Sequence, residues 1–468
     1  MRNVICRFGK FRKTVFQCMG RAVIPLFGYS VFPLMLAACG DGKDSSSNPH
    51  DKPHNPGQAV EVRSVSPVSG GIGTKVIVAG SNFGNDTTGV QLYFNQKKAL
   101  IMNIQDNAIY ALVPRQPGDF STIRVVIKGR EAVLDGMRFQ YFIRSNVTTV
   151  SGQYMVSRIE DGPALQATFG RPVITCTKKD GSLVFISDDN NANGSGRLRL
   201  YSTQDGIVTT LLDGLYRPWM MAFNTTEDRL FVCERDPGSR PILFHAVAQN
   251  TNWVQRDTYY DQTDDEGHYI AGSMTYAGLT ADDTYVYMMS NEKLIRVHQI
   301  TKKVEAISGG SLLPGYIWQY PVFSKIDKKI YFVASSAGRL FRFDPYHTPE
   351  GRTTPWLTAS DVEHIAGMSS GTAKEGNGFD LRIGGIEPIG IDRDGNVILP
   401  DVSNSVIWKI DPELNGTIIA GVVGSAGYRD GNPREAQFNY AFGVSTTDNG
   451  QIYIADSRNF LIRCITIQ

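Results

Sequence analysis

Residues 147–468 repeat one short pattern, and that repetition limits what this chain can fold into more than any other feature. Three copies are plain. Asp180-Gly181-Ser182-Leu183-Val184-Phe185-Ile186-Ser187-Asp188, Asp394-Gly395-Asn396-Val397-Ile398-Leu399-Pro400-Asp401 and Asn449-Gly450-Gln451-Ile452-Tyr453-Ile454-Ala455-Asp456 each set a Gly turn before an apolar run that ends in Asp. Weaker copies centre on Arg217-Pro218-Trp219, Tyr276-Ala277-Gly278-Leu279 and Tyr320-Pro321-Val322-Phe323. The first strands of the six copies begin near Val173, Trp219, Ala277, Val322, Ile389 and Phe442, at steps of 46, 58, 45, 67 and 53 residues. A unit of that length holds about four short strands and cannot bury its apolar face alone, so the copies must stack in a ring, and the ring must close. Thr148-Thr149-Val150-Ser151-Gly152 precedes the first Asp-Gly as Thr417-Ile418-Ile419-Ala420-Gly421 precedes the last. It therefore reads as an outer strand, expected to complete the sixth sheet beside the three strands that the end of the chain supplies. The longer steps locate insertions near Asp257–Gly267 and Tyr346–Gly378.

The last copy carries Asp430-Gly431 at its opening, Ala455-Asp456 at its centre and Ile462-Arg463 at its close. In these features it resembles the NHL repeat, and the resemblance implies a six-bladed β-propeller over residues 147–468. Upstream, Val76–Ala79, Val90–Phe94, Ala108–Val113 and Ile123–Ile127 are short alternating strands separated by turn residues, the pattern of a small β-sandwich. Val65-Ser66-Pro67, Gly70-Gly71-Ile72-Gly73-Thr74, Gly80-Ser81-Asn82-Phe83-Gly84, Val113-Pro114 and Phe139-Gln140-Tyr141 resemble the IPT/TIG immunoglobulin-like domain across residues 60–143. Phe83 is expected to plug one end of the sandwich. That resemblance implies a spacer or a dimer contact. The expected fold is all-β, an Ig-like sandwich followed by a six-bladed ring closed by a three-plus-one strand arrangement.

Residues 1–38 hold six basic side chains and no acidic one, leaving 41 basic against 46 acidic residues beyond them. A net charge of −5 gives the remainder no overall field for nucleic acid, which is not an expected partner. The apolar run Ala22–Ala38, broken by Pro25, Gly28 and Pro33, ends at Leu36-Ala37-Ala38-Cys39. It resembles a bacterial lipoprotein signal peptide cut before Cys39, with Met19 as a second candidate start. Cys39 would carry the lipid, and residues 39–59 read as a flexible polar linker. Asp41 and Asp44 resemble the acidic export signal of Bacteroidetes-type surface lipoproteins, which implies an outer-membrane, cell-surface location. Cys176, Cys233 and Cys464 remain in the body of the chain and are expected as buried thiols.

In a propeller, the loops that feed the first strands share one face with the turns between the second and third strands, around the channel mouth. Aligning the copies puts Arg171, Arg217, Trp219, Tyr276, Trp318, Tyr320, Glu387, Asn439 and Tyr440 at that mouth. Aromatic planes beside Arg and Glu suit a sugar ring or a peptide, while the alternative is that Trp219 and some tyrosines pack between blades. Asp189, Asn191 and Asn193 match the first half of a calcium loop. Its twelfth position is Leu200 where a bidentate Glu belongs, so a Gly- and Asn-rich turn is expected and no cofactor. The histidines beyond the linker show no zinc spacing, and Glu387 is the one acid near an entrance.

The expected function is a lipid-anchored cell-surface protein that binds an extracellular glycan or peptide, accessory to outer-membrane transport proteins. Two alternatives stand beside it. NHL-type propellers include lyases and hydrolases with a metal at the channel mouth, and others act as protein-binding adhesins or scaffolds.

Overall fold

The computed structural model describes residues 51–467, apart from 115, 117–118, 143–144, 191–193, 236–240, 272–277, 291–292, 317 and 347–354. Among these there is no α-helix, and no helix is long and apolar enough to cross a membrane. Residues 61–141 form three small sheets around one core of Val65, Val76, Val78, Leu92, Phe94, Ile109, Val125 and Phe139. Phe83 is fully buried there. Its place requires Gly80, where a Cβ would lie 2.3 Å from the Phe83 ring and 2.0 Å from the Glu61 carbonyl oxygen. The Asn82 amide donates to the carbonyls of Asn55 and Gln58, both at 2.9 Å, so ordered contacts begin ahead of residue 60.

Six sheets of four or five antiparallel strands follow between Ser145 and Ile467. Their first strands are Pro172–Thr177, Pro218–Phe223, Gly278–Ala281, Trp318–Phe323, Gly390–Ile391 and Ala441–Thr446. Hydrogen bonds carry the chain of contacts from sheet to sheet. The Ser187 hydroxyl donates to the Pro218 carbonyl, Tyr259 to Gln299, and the Phe323 amide to the Thr280 hydroxyl at 2.8 Å. Ile386 donates to Ser335 at 3.2 Å, Thr446 to Ile391 at 2.8 Å, and Ser445 to Thr175 at 3.0 Å, which joins the last sheet to the first. The strand Ser145–Gly152 pairs antiparallel with Leu461–Ile467 over seven positions, so the earliest strand of the ring is the outermost strand of its last sheet. Of the segment Asp257–Gly267, expected as an insertion, Asp257–Tyr260 is the fourth strand of the second sheet, with Tyr259 buried.

The sequence pattern has a common physical cause in three sheets. Asp188, Asp401 and Asp456 end the second strands and are at most 1% exposed. Each accepts backbone N–H donors from the loop that enters the first strand: Gly170 and Arg171 at 3.2 and 2.7 Å, Gly384 at 2.7 Å, Asn439 at 2.8 Å. Arg463 donates to Asp456 at 2.8 Å and to Asp430 at 3.0 Å, and Arg199 donates to Asp188 at 3.1 Å and to Asp161 at 2.8 Å. Asp161 and Asp430 in turn accept the outer-strand amides of Thr210 and Thr149 at 2.8 and 3.0 Å. Thus one guanidinium ties the opening Asp-Gly to the central Asp. In the fifth sheet Trp408 takes the Arg position, donating to Asp401 at 3.4 Å, and Glu375 replaces the opening Asp, accepting from Ile418 at 2.7 Å.

Both guanidiniums are fully buried. Arg463→Ala strands two carboxylates, and the expected loss is about 3–5 kcal/mol of unfolding free energy in urea. Arg158→Ala, which breaks a pair with side chains 62% and 51% exposed, is expected to change stability by less than about 1 kcal/mol. Similar losses for the two would rule out this account of the repeat.

Candidate functional site

The buried acids position the mouth because the backbone they hold leads directly into the first strands. After each second strand the chain closes the same loop from the other side. Asp189 donates its amide to the Arg171 carbonyl and Arg235 to the Arg217 carbonyl, both at 2.9 Å, and Ser457 donates to Tyr440 at 3.2 Å. Arg217, Tyr320 and Tyr440 take left-handed backbone angles, φ of 51°, 61° and 61°, beside bulges in the first strands. That conformation costs a non-glycine residue about 1 kcal/mol or more.

Seven expected residues can be placed. Arg171 and Arg217, 24% and 23% exposed, both face the fully buried Asp189, at 3.8 and 3.5 Å from its Oδ2. Trp219 is 4% exposed, with the Arg235 guanidinium 4.4 Å above its ring and Phe442 edge-on at 5.0 Å. Tyr320, 5% exposed, also packs edge-on against Phe442. Tyr440 is half-buried, stacked on Phe442 at 5.7 Å and covered by Arg458 at 4.4 Å. Its hydroxyl donates to Glu387 Oε1 at 3.2 Å, and the Tyr320 hydroxyl bonds the same carboxyl. Asn439 is half-buried and held through its backbone N–H. Tyr276, Asn191, Asn193, Cys39 and the side chain of Trp318 lie outside the described residues.

Two of these placements change the sequence-based picture. Trp219 and Tyr320 form a closed aromatic floor with Phe442 and present little ring face to a ligand. Of the calcium triad, the described member Asp189 faces two guanidiniums. Asn404 and Asn459, each three residues after the central Asp of its sheet, donate to Asp401 and Asp456 at 2.7 and 2.8 Å. No group of three or more acids, histidines or cysteines poised for a metal occurs among the described residues.

Arg235 and Arg458 were missed by sequence reasoning. Both follow the end of a second strand, Glu234 and Asp456, which is the turn that faces the mouth, so the signal was available. Within the cluster Glu387 Oε2, Trp219 Nε1 and Arg217 Nε are buried and make no hydrogen bond to a described residue. Burial pushes the Glu387 carboxyl up to about 7, against the opposing pull of the two tyrosine hydroxyls and the Arg171 and Arg235 charges. At the far ends of the same strands lies a cavity of about 510 Å³. There Lys179 Nζ ties the first sheet to the fifth and sixth, donating to the carbonyls of Ile391 and Thr446 at 3.3 and 3.2 Å.

Residues 61–141 match the IPT/TIG domain family. Over 82 residues the chain is 35% identical to Protein SUPPRESSOR OF QUENCHING 1, chloroplastic, of Arabidopsis thaliana, an alignment that takes in 17% of this chain and spans 8% of the plant protein's length. A crystal structure of a Bacteroides thetaiotaomicron protein of unknown function is similar over 89% of this chain and 100% of its own, at 24% identity and a TM-score of 0.72. An auxiliary nutrient binding protein from the same species is similar over 89% of this chain and 99% of its own, at 19% identity and a TM-score of 0.57. Both likenesses show a shared fold.

The Glu387 shift fixes a pH dependence. Its carboxyl titrates near 4.5 when exposed and near 7 in the fold, so the folded state holds the proton more tightly and stability falls as pH rises through that window. The loss is complete above pH 7 and amounts to at most about 3 kcal/mol. In thermal melts from pH 5 to 8, Glu387→Gln is expected to abolish that part of the decline, and parallel curves for the two proteins would contradict the assignment.

Proposed function

We propose that this chain is a lipid-anchored cell-surface protein whose ring binds an extracellular nutrient fragment, a glycan or a peptide, at the channel mouth, as an accessory to outer-membrane uptake. The single observation that carries this reading is the convergence of Arg171, Arg217, Glu387 and Tyr440, from four different sheets, on one buried-carboxylate and tyrosine cluster with unpartnered polar atoms. Such a cluster is expensive to hold folded unless it serves a ligand. The nutrient-binding role of a protein of the same fold supports the same reading. The membrane attachment rests on Leu36-Ala37-Ala38-Cys39.

A second reading has one specific observation in its favour. A carboxyl that titrates near 7 between two tyrosine hydroxyls is suited to general acid–base chemistry, as a lyase or hydrolase would require. Product analysis after prolonged incubation with each bound ligand separates the two, since a binding protein returns the ligand unchanged.

Calorimetry of the full chain against neutral and acidic oligosaccharides and peptides is expected to find a ligand whose affinity drops by about 1 kcal/mol or more in Tyr440→Ala. In cells, Cys39→Ser is expected to move the protein from the membrane fraction to the soluble fraction and to abolish labelling by a fatty acid. Unchanged fractionation would refute the anchor.

A further inference from the structure

An aromatic pair stands on the surface outside the mouth, and the turn that holds it also holds the mouth. Tyr154 and Tyr428 stack with ring centroids 4.5 Å apart and planes 18° from parallel, and they are 51% and 38% exposed. Both are fixed from behind. Tyr428 lies over the buried Arg463 guanidinium at 5.1 Å, and its hydroxyl accepts from the Thr149 hydroxyl at 3.2 Å. Tyr154 sits in a turn closed by the Val156 amide on the Gln153 carbonyl at 3.2 Å, beside Met155 in left-handed backbone, φ 60°. A non-glycine residue keeps that conformation where its surroundings fix it. With one ring face on Tyr428 and half of its surface exposed, Tyr154 turns its other face to solvent.

The buried Asn459 sets this pair. Its carbonyl accepts the Met155 amide at 3.2 Å and its side chain donates to the Gly427 carbonyl at 2.9 Å, so a neighbour of each tyrosine hangs on it. Asn459 ends the three-residue turn Ser457–Asn459, whose first two amides donate to the carbonyls of Tyr440 and Asn439 at 3.2 and 3.1 Å. Arg458, in the middle of that turn, is exposed and covers the Tyr440 ring at 4.4 Å. Solvent-facing groups therefore run from Tyr440 across Arg458 to Tyr154 along one turn.

One open aromatic face next to a guanidinium suits a pyranose, whose C–H face lies flat on a ring and whose edge carries hydroxyl acceptors. A peptide finds less to hold. The outermost strand here, Ser145–Gly152, has its edge closed, because Val147 exchanges both backbone bonds with Gly431 at 2.9 and 2.8 Å and the Thr149 amide donates to Asp430. A proline-rich segment calls for a groove between aromatic rings, and the tyrosines here are closed onto each other. On the premise that the mouth is a binding site, we infer that its ligand is a glycan chain long enough to leave the mouth, with an outer sugar ring stacked on Tyr154 and that ring's hydroxyls on Arg458.

The test is calorimetry of the full chain with cellohexaose, xylohexaose, mannohexaose and hexagalacturonate, with the disaccharide of each, and with a proline decapeptide. At least one hexasaccharide is expected to bind about tenfold or more tightly than its own disaccharide. Tyr154→Ala should weaken that hexasaccharide about tenfold and leave the disaccharide unaffected, Tyr154→Phe should keep the affinity for both, and Tyr440→Ala should weaken both. The inference is overturned if the disaccharide binds as tightly as the hexasaccharide, if Tyr154→Ala changes nothing, or if the decapeptide binds more tightly than every sugar. In each of those cases a loss of affinity in Tyr440→Ala still upholds the mouth as a binding site, whereas silence across the panel removes that reading and this one together. The chain-length dependence of the unsubstituted protein decides the matter even if a variant fails to fold.

Discussion

A carboxylate buried at the end of the second strand governs both the ring and its mouth. Asp188, Asp401 and Asp456 would each cost several kcal/mol if left without partners, and burial alone raises the pKa of all three, that of Asp456 to about 6. Their partners are the backbone N–H groups of the loops that enter the first strands, together with a guanidinium, an indole or an asparagine amide from the same sheet. The interaction that makes the buried charge tolerable therefore also fixes where Arg171, Glu387 and Tyr440 begin. Fold stability and site geometry are not separable in this molecule, because one carboxylate serves both.

How much of this could be read from the sequence follows from which residues the backbone requires. The Asp-Gly opening, the central Asp and the closing Arg recur because the Arg bridges the two carboxylates, as Arg463 does between Asp430 and Asp456. The outer strand Ser145–Gly152 was legible because it repeats the strand that precedes the last opening. Asp257–Tyr260 was not. Its first residues are polar and its step is long, and what makes it part of a sheet is its pairing with Ile242–Ala248 and the packing of Tyr259 on Phe244, with centroids 4.4 Å apart. The burial of Trp219 was equally hidden, since it depends on Arg235 from the next turn and on Phe442 from another sheet. Alignment of copies gives the ring position of a side chain. It does not give the depth, which is set by neighbours more than 200 residues away in sequence.

The mouth departs from the local rules that the rest of the ring obeys. Arg217, Tyr320 and Tyr440 hold left-handed backbone where glycine would be at ease, and a carboxyl with one unpartnered oxygen sits among them. Far from the mouth, at the other ends of the same strands, Lys179 satisfies its ammonium on carbonyls of two other sheets and Thr446 caps the same region. One end of the channel is cross-braced by satisfied groups, and the other keeps its left-handed backbone.

The link between the two folded parts is short. Phe139–Tyr141 is the last strand of the sandwich, and the ring begins at Ser145 with the strand that locks its two ends together. Mechanical load borne by the sandwich thus enters the ring through its clasp. Seven antiparallel residue pairs and the Thr149 amide on Asp430 lie along that load path. Tension on the sandwich is carried first by the one strand whose release would open the circle, so the clasp sets the force the ring can bear.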